Sequence, residues 1–125
     1  PRGESPTGAI VYSAIRYIDK NIFNVRNVAD LAAKLGYSHS YISHIFKELT
    51  GMTLQRYIIM KRHEKALELL RMGTLNVTEV AQKLNYKTIQ AFTKSFTRTM
   101  GFPPSHYDKI MREEAEDNGA WEGVV

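Results

Sequence analysis

Two clusters of polar side chains carry the groups in this sequence best suited to close-range chemistry. His39, Ser40, Ser43, His44 and Lys47 form one, and Ile89, Gln90, Thr93, Lys94 and Arg98 form the other. Their three- and four-residue spacings set each cluster on one side of a helix. The residue types suit hydrogen bonding and charge contact with a polyanion. Ser and His bond several bases, so they name no sequence, whereas Gln90 can pair bidentately with adenine. Lys94 and Arg98 reach either guanine or phosphate, and Ile89 either meets a thymine methyl group or is buried beside Phe92. An ordinary solvated helix face has the same composition.

Catalytic and metal chemistries find little support. His39 and His44 are five apart, which does not stack two ligands as an i, i+4 pair would. Ser43 and His44 are adjacent, and adjacent helical residues diverge, so they make no nucleophile–base dyad. The chain contains no cysteine, which removes a disulfide framework, a thiolate metal site and a cysteine nucleophile. No glycine-rich phosphate loop occurs. No enzyme, no metal and no cofactor is expected.

The elements that must position the two clusters are related by an internal repeat. Asn27–Tyr37 reads NVADLAAKLGY and Asn76–Tyr86 reads NVTEVAQKLNY, identical at six of eleven positions. The match resumes at Phe46/Phe96, Gly51/Gly101 and Tyr57/Tyr107. In each copy an asparagine can cap a helix, with Asp30 or Glu79 three residues on as in a capping box. Val28, Leu31, Ala32 and Leu35, like Val77, Val80, Ala81 and Leu84, recur at helical spacing. Gly36 and Asn85 follow, the two residue types most willing to adopt positive φ. A second helix comes next. In the first copy its apolar arc is Ile42, Ile45, Phe46 and Leu49, and in the second Phe92, Phe96 and Met100. Each copy is thus a helix-turn-helix.

The rest fits around these lobes. Gly8–Asp19 has an apolar stripe for packing on the first lobe. Thr53 can cap a helix from Leu54 to about Met72, ended by Gly73, which at 1.5 Å per residue is a strut of roughly 27 Å. If the duplex bends slightly, that length would set two groove-reading helices near the 34 Å of one duplex turn, with blocks roughly 10 base pairs apart. Pro103-Pro104 breaks the chain before a closing helix, Ser105–Glu116. The reading is all-α, about seven helices, with two helix-turn-helix subdomains joined by a long linker helix: lobe one 8–52, linker 53–73, lobe two 74–110, and an acidic tail 111–125. His63 reads as a packing residue, and Tyr37, Tyr57, Tyr86 and Tyr107 as core aromatics with wet hydroxyls. The amides that Asn27, Asn76 and Thr53 leave free could also meet phosphates.

Charge points the same way. Lys and Arg number 17 and Asp and Glu 13 in 125 residues. Met111–Val125 holds five of the acids against Arg112 alone, which leaves 16 basic and 8 acidic residues in 1–110, a net charge of +8. So basic a body suits a nucleic acid. No apolar run approaches the roughly 18 residues of a membrane span and no signal peptide opens the chain, so it reads as soluble and cytoplasmic, without a membrane partner. It opens at Pro1 without a methionine, as a piece of a longer protein would.

The chain resembles the DNA-binding domain of AraC/XylS-family transcription regulators. The resemblance rests on YISHIFKELTG (Tyr41–Gly51), RHEKALELL (Arg62–Leu70) and FTKSFTRTMGFPPSHY (Phe92–Tyr107), and covers about Gly8 to Ile110. It implies two helix-turn-helix subdomains on one face of double-stranded promoter DNA, RNA polymerase as a further partner, and a sensory or dimerisation domain elsewhere in the full protein. The family usually carries an apolar residue where His63 stands, a polar one where Ile89 stands, and often a basic one near Thr97. The function implied is sequence-specific transcription regulation, more often activation. The competing classes are a helical protein-interaction module and an RNA-binding domain. The first would show large apolar anchors, and the second would show aromatics arranged for stacked bases.

Overall fold

The computed structural model describes residues 6–106. Within them lie six helices: α1 (Pro6–Lys20), α2 (Val28–Leu35), α3 (His39–Thr50), α4 (Leu54–Met72), α5 (Val77–Lys83) and α6 (Ile89–Met100). A further helical turn opens at Pro104. The expected closing helix beyond His106, Tyr107 and the acidic tail lie outside the described residues. No strand occurs among those described. The chain divides into two compact units with a boundary between Arg62 and His63, inside α4.

The first unit is built on the apolar stripe of α1. Ile10, Val11, Ala14 and Ile18 are buried against Val28, Leu31 and Ala32 of α2 and Ile42, Ile45 and Phe46 of α3, with Leu54 and Ile58 closing the cluster. Tyr57 packs on Phe46 with ring centroids 5.3 Å apart. One charged side chain belongs to this interior. Arg62 is buried and donates from Nη1 to the Val25 carbonyl at 3.1 Å, which satisfies a backbone acceptor in the connection ahead of α2. Leu49, expected on the apolar arc, is instead 52% exposed. Its angular position is right, but it lies in the last turn of α3, just before Gly51, and the core cluster ends short of it.

The second unit buries Ala66, Leu69 and Leu70 of α4, Val80 and Ala81 of α5, Leu84, and Phe92 and Phe96 of α6. The two phenylalanine rings lie 5.6 Å apart, Tyr86 packs on Phe92 at 5.1 Å, and Phe102 meets Phe96 edge-on at 6.0 Å. His63 is fully buried here, as a packing residue should be. It also bonds: its Nε2 lies 3.1 Å from the Tyr86 hydroxyl and 3.0 Å from Ser95 Oγ. The Tyr86 hydroxyl is therefore not simply wet, because a buried imidazole within reach holds it better than solvent at a half-buried site.

The helix ends show what the repeat encodes. Asn27 Oδ1 accepts from the Asp30 amide at 2.9 Å, and Asn76 Oδ1 from the Glu79 amide at 2.8 Å. The reciprocal bond that completes a capping box forms at Asn76, where Glu79 Oε1 accepts from the Asn76 amide at 2.9 Å. Asp30 is one methylene shorter, and only half of the expected box is made there. The turns match closely. Tyr37 N donates to Ala32 O and Tyr86 N to Ala81 O, both at 3.0 Å. Gly36 sits at φ 81° and Asn85 at φ 65°. Each turn closes its helix with the bond of a Schellman motif and a left-handed residue, which is why glycine and asparagine exchange there. Thr53 Oγ1 accepts from the Arg56 amide at 3.1 Å, so α4 starts where the sequence placed its cap.

Candidate nucleic-acid interface

In the first unit, α3 is presented by its own cap and its buried side. Ser38 is extended and its Oγ accepts from the Tyr41 amide at 3.2 Å. With Ile42, Ile45 and Phe46 turned inward, His39, Ser40, His44 and Lys47 stand exposed and Ser43 half-buried beside them. This is the arc the spacing predicts. An open groove of about 620 Å³ runs along it, lined by His39, Ser43, His44, Lys47 and Glu48 on α3 and by Thr53, Leu54 and Gln55 where α4 begins. A second groove of about 310 Å³ shares His39 and Gln55 and adds Arg26 and Asn27.

Three of these residues escaped the sequence reading. Gln55 and Arg26 are exposed and border the same grooves, yet they belong to other elements, and periodicity within α3 carries no sign of them. Glu48 sits on α3 itself, its Oε1 3.5 Å from His44 Nε2, with both side chains largely in solvent. An exposed pair of this kind adds little stability. Its consequence is local: a carboxylate stands beside the imidazole offered to the groove.

In the second unit, Thr88 caps α6, its Oγ1 accepting from the Ala91 amide at 3.0 Å. Phe92 and Phe96 fix the buried side. Gln90, Lys94 and Arg98 are exposed and Thr93 is half-buried. Ile89 is 36% exposed rather than enclosed beside Phe92, which leaves its methyl groups within reach of a ligand. The ten sequence-predicted residues thus form two outward faces, five on each, one per unit. Among the described residues no group of three or more His, Asp or Glu gathers as metal ligands would. Nor is any described helix long and apolar enough to cross a membrane.

Known proteins share this arrangement. A family described as a helix-turn-helix domain matches residues 31–110. The F1 operon positive regulatory protein of Yersinia pestis is 36% identical over 101 residues, a match that covers 80% of this chain and 34% of that protein. The regulatory protein SoxS of Salmonella typhimurium is 33% identical over 98 residues, covering 78% of this chain and 92% of that one. This chain belongs to the AraC family of DNA-binding transcription regulators. The family fold is also that of the DNA-binding domain of AdpA, solved in complex with a target DNA, at a TM-score of 0.74 and 24% identity over 83% of this chain and 94% of that one. This AraC-family chain spans about a third of the F1 operon regulator and nearly all of SoxS, so its extent is that of the shared domain in one relative and of almost a whole protein in the other.

Proposed function

We propose that the chain binds double-stranded promoter DNA with α3 and α6 in separate major-groove segments, and so regulates transcription, in the direction of activation. The observation that carries this is the pairing of two outward polar faces on twin helix-turn-helix lobes, each held by a side-chain cap and two or three buried apolar residues. On α3 the contacts are His39, Ser40, Ser43, His44 and Lys47. On α6 they are Ile89, Gln90, Thr93, Lys94 and Arg98, with Gln90 reading adenine and Ile89 touching a thymine methyl group. The DNA-binding region is 8–110, with 111–125 a separate acidic tail. Ile89 is the one exposed large apolar side chain among these ten residues, short of the clustered anchors of a protein-docking surface. Binding rather than catalysis is the activity, the site of action is the cytoplasm, and RNA polymerase and an attached sensory or dimerisation domain are the further partners. One relative is named a positive regulatory protein, which supports activation.

Selection from random duplexes tests this reading. Substitution of Ser43 and His44 in one variant and of Gln90 and Thr93 in another should each change preference in a different block of the selected site. Changes confined to one shared block would refute the two-lobed reading. Tighter binding of single strands or RNA than of any duplex would move the function to a different nucleic acid.

A further inference from the structure

Base reading demands that a helix be fixed in rotation about its own axis. Side-chain tips on a helix lie about 5–6 Å from that axis. A turn of about 20° therefore moves a tip by about 2 Å, several times the width of the distance window a hydrogen bond accepts. Phe92 and Phe96 give α6 its buried side, but they lie nearly in line along it. At 100° per residue they differ by only about 40°, so they set depth better than rotation. A directional bond off that line would do more.

Ser95 supplies one. It lies about 60° to one side of Phe92 around the helix, opposite in sense to Phe96, and its Oγ is 3.0 Å from His63 Nε2. The same nitrogen is 3.1 Å from the Tyr86 hydroxyl, in the connection between α5 and α6. His63 itself has no exposed surface, and its ring meets Phe96 edge-on at 5.7 Å. A hydroxyl both donates and accepts, and a neutral imidazole nitrogen does one or the other. In either tautomer that single nitrogen has one bond to give, so it holds one hydroxyl fully or shares the bond between the two. His63 is the buried member and Ser95 and Tyr86 are half-buried, so slippage of α6 that carries Ser95 away removes one of the two hydroxyls within reach of a buried ring nitrogen.

We propose that His63 is a positioning residue that fixes the rotation of α6 through Ser95 and the approach to it through Tyr86. It thereby sets the base preference of lobe two without touching DNA. The inference rests on the groove reading of α6 given above. A leucine at this place could fill a similar volume and would exert no such directional hold. The base preference of this chain's second lobe is tied to a side chain on another helix.

The test uses the full chain with His63→Leu, His63→Gln, Ser95→Ala and Tyr86→Phe, each checked for wild-type helix content. Gln90→Ala marks the lobe-two block in a duplex selection. His63→Leu and Ser95→Ala should change relative base preference in that block by fivefold or more while the lobe-one block stays within twofold. Tyr86→Phe should shift it in the same direction. His63→Gln, which keeps a polar atom near the Nε2 position, should recover most of the wild-type preference. Folded variants that keep the wild-type profile, or lose affinity equally at both blocks, would overturn the proposal. Should His63→Leu fail to fold, Ser95→Ala, the smallest change, decides alone by the same criterion. If Gln90→Ala itself altered no base position, the groove reading would fall, and amide exchange in the free protein would judge the positioning separately. Exchange across α6 at least tenfold faster in His63→Leu, with α3 unchanged and His63→Gln restored, upholds it. Unchanged α6 exchange overturns it.

Discussion

Replacing Gly36 by alanine isolates the cost of one backbone conformation. A Cβ built on Gly36 meets nothing within 4 Å, so no clash contributes. What remains is φ at 81°, a left-handed setting that costs an L residue about 1–2 kcal/mol. Alanine also restricts the unfolded chain, which returns about 0.4–1 kcal/mol. The net loss for Gly36→Ala is therefore about 0–1.6 kcal/mol, centred near 0.8 kcal/mol. Gly36→Asn should lose distinctly less, because asparagine tolerates this region and occupies the matching turn at Asn85. The reverse exchange, Asn85→Gly, relieves strain and loosens the unfolded chain by similar amounts, and should fall within about 0.5 kcal/mol of wild type. Urea denaturation at a constant m-value reads all three. A Gly36→Ala protein more stable than wild type, or one more stable than Gly36→Asn, would refute the account of the turn.

Arg62→Ala should destabilise the chain by about 1.5–3 kcal/mol in urea, the range for a hydrogen bond from a charged donor, since it leaves the Val25 carbonyl without that donor. Asn76→Ala and Asn27→Ala should each cost about 1 kcal/mol, with the larger loss at Asn76, where the reciprocal bond from its own amide to Glu79 is also put at risk. Binding to a selected duplex should weaken steeply with salt, with log K against log salt near a slope of −5 for about six phosphate contacts. A slope near zero in fluorescence anisotropy titrations would contradict a phosphate-gripping interface. Lys94→Ala should weaken all duplexes alike if its partner is phosphate, whereas Gln90→Ala should cost about 1–3 kcal/mol at one base pair.

The repeat made much of this legible. Identical residues at the caps and equivalent ones at the turns gave both helix-turn-helix units, and both bonds from tyrosine amide to alanine carbonyl fall where the repeat places them. The limits of α4 were readable because Thr53 and Gly73 punctuate it. Periodicity supplied the angle of each side chain but not how far along the axis the core extends, hence the misplacing of Leu49. The half-made box at Asn27 turns on a single methylene that residue class alone does not weigh. Arg62, Gln55 and the bond between Tyr86 and His63 depend on separate segments meeting, and no pattern within one helix reports that.

Arg62 and His63 stand side by side in α4, and each is buried with a partner in a different unit. Each unit's share of the 19-residue helix is shorter than the roughly 12–15 residues an isolated helix needs even to be marginal in water. The costly first turn is thus paid once for both units, and winding begun against either core lowers the entropy left for the other. A protein cut between Arg62 and His63 would yield two fragments that must each nucleate that helix afresh, so they would fold less cooperatively apart than the intact chain does together.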